Sequence, residues 1–159
     1  MFNVPINILI NLKSCIILLF LYNSGMEITK NQKLKIAKIA KKFQLKLIII
    51  FGSFASGKNR KDSDLDIATL GLKVVSFNEQ ISLTNELSLI FNKNIDLSVL
   101  NTANPLLLFQ ASKNSILLYG NREDFLKFKL YAFNVYNDYA PYFKMEKDLN
   151  KKIISTYVN

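Results

Sequence analysis

Three aspartates and one glycine–serine pair are the residues here whose types and spacing best support chemistry. Asp64 and Asp66 are two apart, with apolar Leu65 and Ile67 interleaved. On a strand, positions i and i+2 leave the same face. The spacing therefore predicts two carboxylates side by side on a rigid support, with Leu65 and Ile67 turned into a core. Like charges that close repel unless a cation lies between them. Mg2+ suits that place, because it is hard, prefers oxygen ligands and commonly bridges protein carboxylates to substrate phosphates. Asp96 adds a third acid on a separate alternating run, Ile95–Leu100. There Ile95, Leu97 and Val99 share one face, and Asp96 and Ser98 the other. Three acids on neighbouring strands are what a two-metal site requires. One metal lowers the pKa of an attacking hydroxyl and the other neutralises a triphosphate.

Upstream, Gly52-Ser53 directly follows the apolar run Leu45–Phe51. A glycine there lets backbone approach a phosphate closely. The Ser53 hydroxyl and nearby N–H groups can donate to phosphate oxygens. Lys58, Arg60 and Lys61 follow and can supply positive charge. Each part has a plain alternative: Asp-x-Asp as a solvated turn, Gly-Ser as an ordinary strand-ending turn. Their combination in order is what points to a site. Gly52 to Lys58 (GSFASGK) also fits the spacing of a P-loop, but Asn59 stands where a P-loop needs Ser or Thr for Mg2+. A P-loop also opens a helix that crosses over to a parallel strand, and here a strand follows almost at once.

These residues need elements to position them. Residues 28–44 read as a helix, with Ile36, Ile39, Ala40 and Phe43 at i, i+3, i+4, i+7, and Thr29 as its cap. Leu45–Phe51 reads as a buried strand, residues 53–63 as loop or short helix, and Asp64–Leu70 as a second strand. A helix is expected over 78–91, with Ile81, Leu83, Leu87, Leu89 and Ile90 as its apolar positions. After the strand Ile95–Leu100, Pro105 starts a helix to about Lys113, and Ser115–Tyr119 is a fourth strand. Residues 122–143 form a long helix with Phe125, Phe128, Ala132, Val135, Tyr136 and Tyr139 on one stripe. The order implies an α+β (α/β-like) domain, a sheet with helices packed on it.

Composition sets the outer bounds. The 159 residues suit one domain, and half of them are hydrophobic, enough for a compact core. There is no histidine, which removes His bases, His-containing triads and His-Cys zinc sites together. The single cysteine, Cys15, has no internal disulfide partner, so a reducing, cytoplasmic setting is expected. The net charge of +9 suits polyanionic partners such as nucleotides, although a solvated lysine-rich surface explains it equally. Residues 1–25 contain no acid, and their apolar run, Cys15–Tyr22, is far below the ~20 residues that span a membrane. We expect Met26 to be the natural start and 1–25 an upstream read-through. A membrane tether and an extra packed element are the rivals. The domain is then 26–159, ending in the aromatic helix.

Gly52 to Ala68 (GSFASGKNRKDSDLDIA) resembles the nucleotidyltransferase superfamily of DNA polymerase β. That pattern is Gly-Ser or Gly-Gly, a spacer of about ten residues, then Asp-x-Asp or Asp-x-Glu between apolar residues, with a third Asp on a later strand. Small size and the Ser63-Asp64 context make the chain most similar to the minimal nucleotidyltransferases, and among them to the MntA-like antitoxins of HEPN/MNT toxin–antitoxin pairs. The likeness spans most of residues 27–143, with its diagnostic residues confined to Gly52–Ala68 and the Asp96 strand.

The resemblance implies the polymerase β-type fold, a small mixed sheet with flanking helices. It implies ATP as substrate, two Mg2+ ions, and transfer of AMP to a tyrosine of a partner HEPN ribonuclease toxin. Asp64, Asp66 and Asp96 would hold the metals, and Asp96 would help activate the tyrosine hydroxyl. Gly52 and Ser53 would seat the triphosphate, with Lys58 and Arg60 beside them. Family members often carry Arg before the second glycine of the motif; here that residue is Ser56. No specific nucleic acid and no membrane are expected as partners. Competing readings are an antitoxin that only masks its partner through the aromatic helix, transfer to a small molecule or an RNA end, and a nucleic-acid binder using the lysine face of residues 30–46.

Overall fold

The computed structural model describes residues 28–60 and 63–157. The segment 1–25, Met26, Cys15 and Lys61 lie outside the described residues.

Helix α1 is Lys30–Lys42, opened by a capping box between Thr29 and Gln32. Such a box satisfies two otherwise orphaned donors at a helix start. Strand β1 is Leu45–Ile50, and α2 is the single turn Gly52–Ala55. Strand β2 is Leu65–Gly71 and helix α3 is Phe77–Phe91, with a second capping box from Ser76 and Glu79. Strand β3 is Ile95–Val99, followed by a 3-10 turn at Leu100–Thr102. Helix α4 is Pro105–Ser112, with the Asn104 side chain accepting from the Leu107 amide and Pro105 in the first turn. Strand β4 is Ile116–Tyr119 and helix α5 is Arg122–Tyr157.

The strands make one mixed sheet in the order β3-β2-β1-β4. β1 is antiparallel to both β2 and β4, and β2 is parallel to β3. An antiparallel return from β1 to β2 removes the P-loop reading, which needs a parallel crossover. β1 is central and covered on both faces, which is why it reads as a near-continuous apolar run. One face buries Ile36, Ile39, Ile48, Ile50, Leu83 and Leu87 under α1 and α3. The other buries Leu47, Ile49, Leu108, Phe128 and Ala132 under α4 and α5. Full burial of each such Leu, Ile or Phe side chain contributes about 1.5–3 kcal/mol.

Two expectations change. In α3, Leu83 and Leu87 are fully buried, but Ile81 and Leu89 are 48% and 84% exposed. Positions 81 and 89 face away from the i, i+4 pair 83/87, so they fall outside its stripe. Helix α5 continues well past residue 143, with Pro141 inside it. The aromatic stripe stops there because packing stops. Good helix formers such as Lys144, Met145, Glu146, Lys147 and Leu149 carry the helix onward through solvent. Among the described residues no helix is long and apolar enough to cross a membrane.

Candidate active site

The end of β1 and the starts of β2 and β3 lie side by side at one end of the sheet. Asp66 is the second residue of β2, and its register partner on β3 is Asp96. Leu65 and Ile67, the neighbours of Asp66, are both fully buried. Asp66 therefore leaves the opposite face, as its spacing predicts. Ile95, Leu97 and Val99 pack against the α1/α3 core, which leaves Asp96 on the same face as Asp66. Asp64 stands just before β2 rather than within it and is exposed. The Leu65 amide donates to the Asn94 carbonyl at 2.9 Å, which ties the Asp64 position to the start of β3.

Electrostatics show that these acids feel one another. Asp66 is held above the usual carboxylate range, first by its partial burial, then by the charge of Asp96 and, more weakly, by that of Asp64. A hydrogen bond from the Ser53 backbone opposes the rise. Among the described residues the three carboxylates do not close into a ready-made cation cage. Unneutralised carboxylates repel, and a Mg2+ site commonly completes its shell with water and substrate phosphate oxygens.

Gly52 is built around this carboxylate. Its φ is +68°, a left-handed conformation that L side chains rarely adopt, and a Cβ would fall 2.1 Å from Asp66 Oδ2. The Phe51 amide also donates to the Asp66 carbonyl at 3.1 Å, so backbone and side chain of Asp66 are both locked to the end of β1. The oxygen-only donor set and the glycine cradle fit Mg2+ with a triphosphate.

The basic residues are less committed. Lys58 and Arg60 are exposed on the loop between α2 and β2. Their backbone amides are bound locally, Lys58 to the Ser53 carbonyl at 2.9 Å and Arg60 to Ser63 Oγ at 2.9 Å. The structure thus puts both on the loop between α2 and β2, and among the described residues no ion pair joins either to the carboxylates. Ser56 turns its hydroxyl back onto the Gly52 carbonyl at 2.9 Å.

Sequence reasoning missed a groove of about 540 Å³ that borders Asp64. It is walled by Ser63, by Ser88 on α3 and by the α3–β3 turn Asn92, Lys93 and Asn94. The available signal was Asn94, two residues before Asp96 and of the same parity.

Comparison with known proteins agrees with the fold. The profile of the family described as "Polymerase beta, Nucleotidyltransferase" matches residues 34–124. The protein adenylyltransferase MntA of Shewanella oneidensis is 28% identical over 93 residues, 58% of this chain and 67% of that protein. Among solved structures, a toxin–antitoxin with AMP-PNP superposes with a TM-score of 0.65 at 26% identity, covering 74% of this chain and 97% of that one. A tri-AMPylated S. oneidensis HEPN toxin in complex with MNT antitoxin contains a chain similar in fold, with a TM-score of 0.61 at 23% identity. That match covers 77% of this chain and 98% of the other.

Proposed function

The chain belongs to the polymerase beta nucleotidyltransferase family, and from that premise we propose that it is an antitoxin that transfers AMP from ATP to a tyrosine of a HEPN-type toxin. The observation that carries this is Asp66 in register with Asp96 and wedged against Gly52. The likeness to MntA and to a toxin–antitoxin bound to AMP-PNP supports the nucleotide and the partner.

In this reading Asp64, Asp66 and Asp96 hold Mg2+. Bound there, the two ions supply charge neutralisation for the triphosphate and a lower pKa for the attacking hydroxyl. Gly52 and Ser53 seat the phosphates, and Lys58 and Arg60 close over them from the loop. Asp66 is oriented by the Ser53 amide and by β1, so it needs no reorganisation when the substrate arrives. The tyrosine oxygen bonds to the α-phosphorus as the α–β phosphoanhydride breaks. Pyrophosphate leaves with that electron pair, and the hydroxyl proton passes to water. The catalytic unit is residues 26–159, acting in the cytoplasm on a partner that brings its own acceptor.

The test is AMP incorporation into a co-expressed HEPN partner, read by intact mass. We expect Mg2+-dependent incorporation by the wild type and none by Asp64→Ala/Asp66→Ala. Equal incorporation by that variant refutes the reading.

A second reading is neutralisation by masking alone. It is favoured by the outer half of α5, where Tyr142, Met145, Leu149 and Ile154 are all more than half exposed. Full neutralisation of the toxin by the double aspartate variant would select it.

A further inference from the structure

β3 is an outer strand: the sheet order is β3-β2-β1-β4, and among the described residues no strand lies beyond it. Its inner edge is paired with β2. The Leu65 amide donates to the Asn94 carbonyl at 2.9 Å, and Leu65 stands in register with Ile95. In a parallel ladder such a residue bonds the two neighbours of its register partner, so the main-chain groups of Asn94, Asp96 and Ser98 turn toward β2. Those of Ile95 and Leu97 turn outward, and the sheet leaves them unpaired. An open edge of this kind is a template for a further strand.

That edge also borders the site. Asp66 stands against Gly52, and Asp96 is in register with Asp66. Side chains at register positions leave the same face, so a residue added just outside Asp96 would join this row. Asp96 is exposed. We propose that an extended segment of the acceptor protein adds to the β3 edge, antiparallel to β3, with its acceptor tyrosine opposite Asp96. This rests on the nucleotidyl-transfer reading and names how the partner is held for it.

The ladder rules place the tyrosine. An antiparallel strand forms its paired bonds with Ile95 and Leu97, one donated and one accepted at each. Asp96 then falls in a non-hydrogen-bonded pair, the closer kind, with Cα atoms about 4.5 Å apart. The tyrosine side chain rises from the sheet beside the Asp96 carboxylate, on the face that carries Asp66. A strand fixed through its main chain holds the hydroxyl more precisely than a loose loop does.

The same parity sets the neighbours of the tyrosine. Residues on either side of it face the other way, beside Ile95 and Leu97. Those two pack on the α1/α3 core and are only half-buried, so the added residues extend an apolar row. Val, Ile or Thr suits these flanking positions. Recognition through repeated main-chain amides selects a polypeptide, because an RNA end or a small molecule has no such repeat to offer.

The test uses the full 15N-labelled chain, Mg2+, α,β-methylene-ATP, whose α–β bridge does not break, and the blocked peptide Ser-Val-Tyr-Val-Ser. The peptide should slow hydrogen exchange at the Ile95 and Leu97 amides about ten-fold or more, with little change at Asp96 and Ser98, which already bond β2. Methylating both valine amide nitrogens blocks two of the four bonds and should weaken binding about ten-fold. Methylating the tyrosine amide, which points away from β3, should leave affinity within about two-fold. Slow exchange at Ile95 and Leu97 before peptide is added, no slowing by peptide, or equal losses from the two methylated peptides overturns the edge assignment alone. Failure of the nucleotide with Mg2+ to shift the amides of Gly52, Ser53 and Phe54 overturns the transfer reading, and the edge assignment with it.

Discussion

A single methyl group at Gly52 tests the site and the fold together. Gly52 has φ +68°, and a Cβ there would lie 2.1 Å from Asp66 Oδ2 and 2.8 Å from its Cγ. The left-handed conformation costs an L residue about 1–2 kcal/mol. Forcing overlapping atoms apart adds about 1–3 kcal/mol. Gly52→Ala should therefore destabilise by about 2–5 kcal/mol. Gly57 provides the control, because its φ is also +68° and it sits exposed on the following loop. Gly57→Ala should cost only the conformational part, about 1–2 kcal/mol. The clash is isolated by a double-mutant cycle with Asp66→Ala, which removes the carboxylate that the new methyl would strike. In that background Gly52→Ala should also cost about 1–2 kcal/mol, leaving a coupling of about 1–3 kcal/mol. Urea unfolding at neutral pH measures all five proteins, the wild type included, on one scale. Equal costs for Gly52→Ala and Gly57→Ala, or a coupling below about 0.5 kcal/mol, would refute the packing of Gly52 on Asp66.

Three further outcomes follow from the same geometry. Asp66 is held above the usual range by burial and by Asp96, so the folded state binds its proton more tightly than the unfolded state does. Its penalty is absent below the unfolded value, grows as pH rises through the folded value and persists above it. Asp66→Asn should therefore raise the Tm of the ligand-free chain at neutral pH, leave it unchanged in strong acid, and abolish stabilisation by Mg2+ with AMP-PNP. Asp124 is held below its usual range, chiefly by its hydrogen bond with Lys46 and also by Asn121. The stability it adds is present above the unfolded value and lost as pH falls through the folded one, so Asp124→Asn should flatten the acid limb of a Tm–pH curve. Ser56→Arg gives up a hydroxyl bond to the Gly52 carbonyl and offers a guanidinium to the phosphates. A charge-assisted contact of about 1.5–3 kcal/mol should tighten AMP-PNP binding about ten-fold or more by calorimetry. Unchanged affinity would show that the phosphates do not pass Ser56.

Much of the site was legible because side-chain parity is local. Asp64-x-Asp66 between Leu65 and Ile67, and Asp96 between Ile95 and Leu97, announce their faces whatever lies next to them. The capping residues Thr29 and Ser76 and the apolar run of β1 likewise act within a few residues. What stayed hidden depends on neighbours distant in sequence. Nothing in the alternation of Ile95–Val99 says that β3 pairs with β2, in parallel and with Asp96 against Asp66. Gly52 reads from sequence as a glycine that lets backbone approach a phosphate, and only the fold shows the Asp66 carboxylate standing where its side chain would be. The outer half of α5 was missed for the opposite reason: its apolar residues serve no core in this chain, so a search for packed periodicity stops at the last packed turn. The groove at Asn92–Asn94 is built mainly of polar residues on a turn, a class that periodicity does not detect.

The register that joins Asp66 to Asp96 is held by the apolar side of the sheet, and this has a mechanistic consequence. Two carboxylates at adjacent strand positions repel, so nothing in their own chemistry draws them together. A slip of β3 by one residue would separate them, but it would also turn Ile95, Leu97 and Val99 from the α1/α3 core toward the opposite face. Losing those contacts costs several kcal/mol on the usual scale of about 0.8 kcal/mol per buried methylene group. The repulsion between two partly solvated charges about 5 Å apart is nearer 1 kcal/mol in a water-like medium. Burial therefore wins, and the acids are kept together against their own repulsion. The raised proton affinity of Asp66 comes first from its partial burial and then from the charge of Asp96 that the register holds beside it. A cation bound between them would meet Asp66 and Asp96 already in register and would relieve their mutual repulsion.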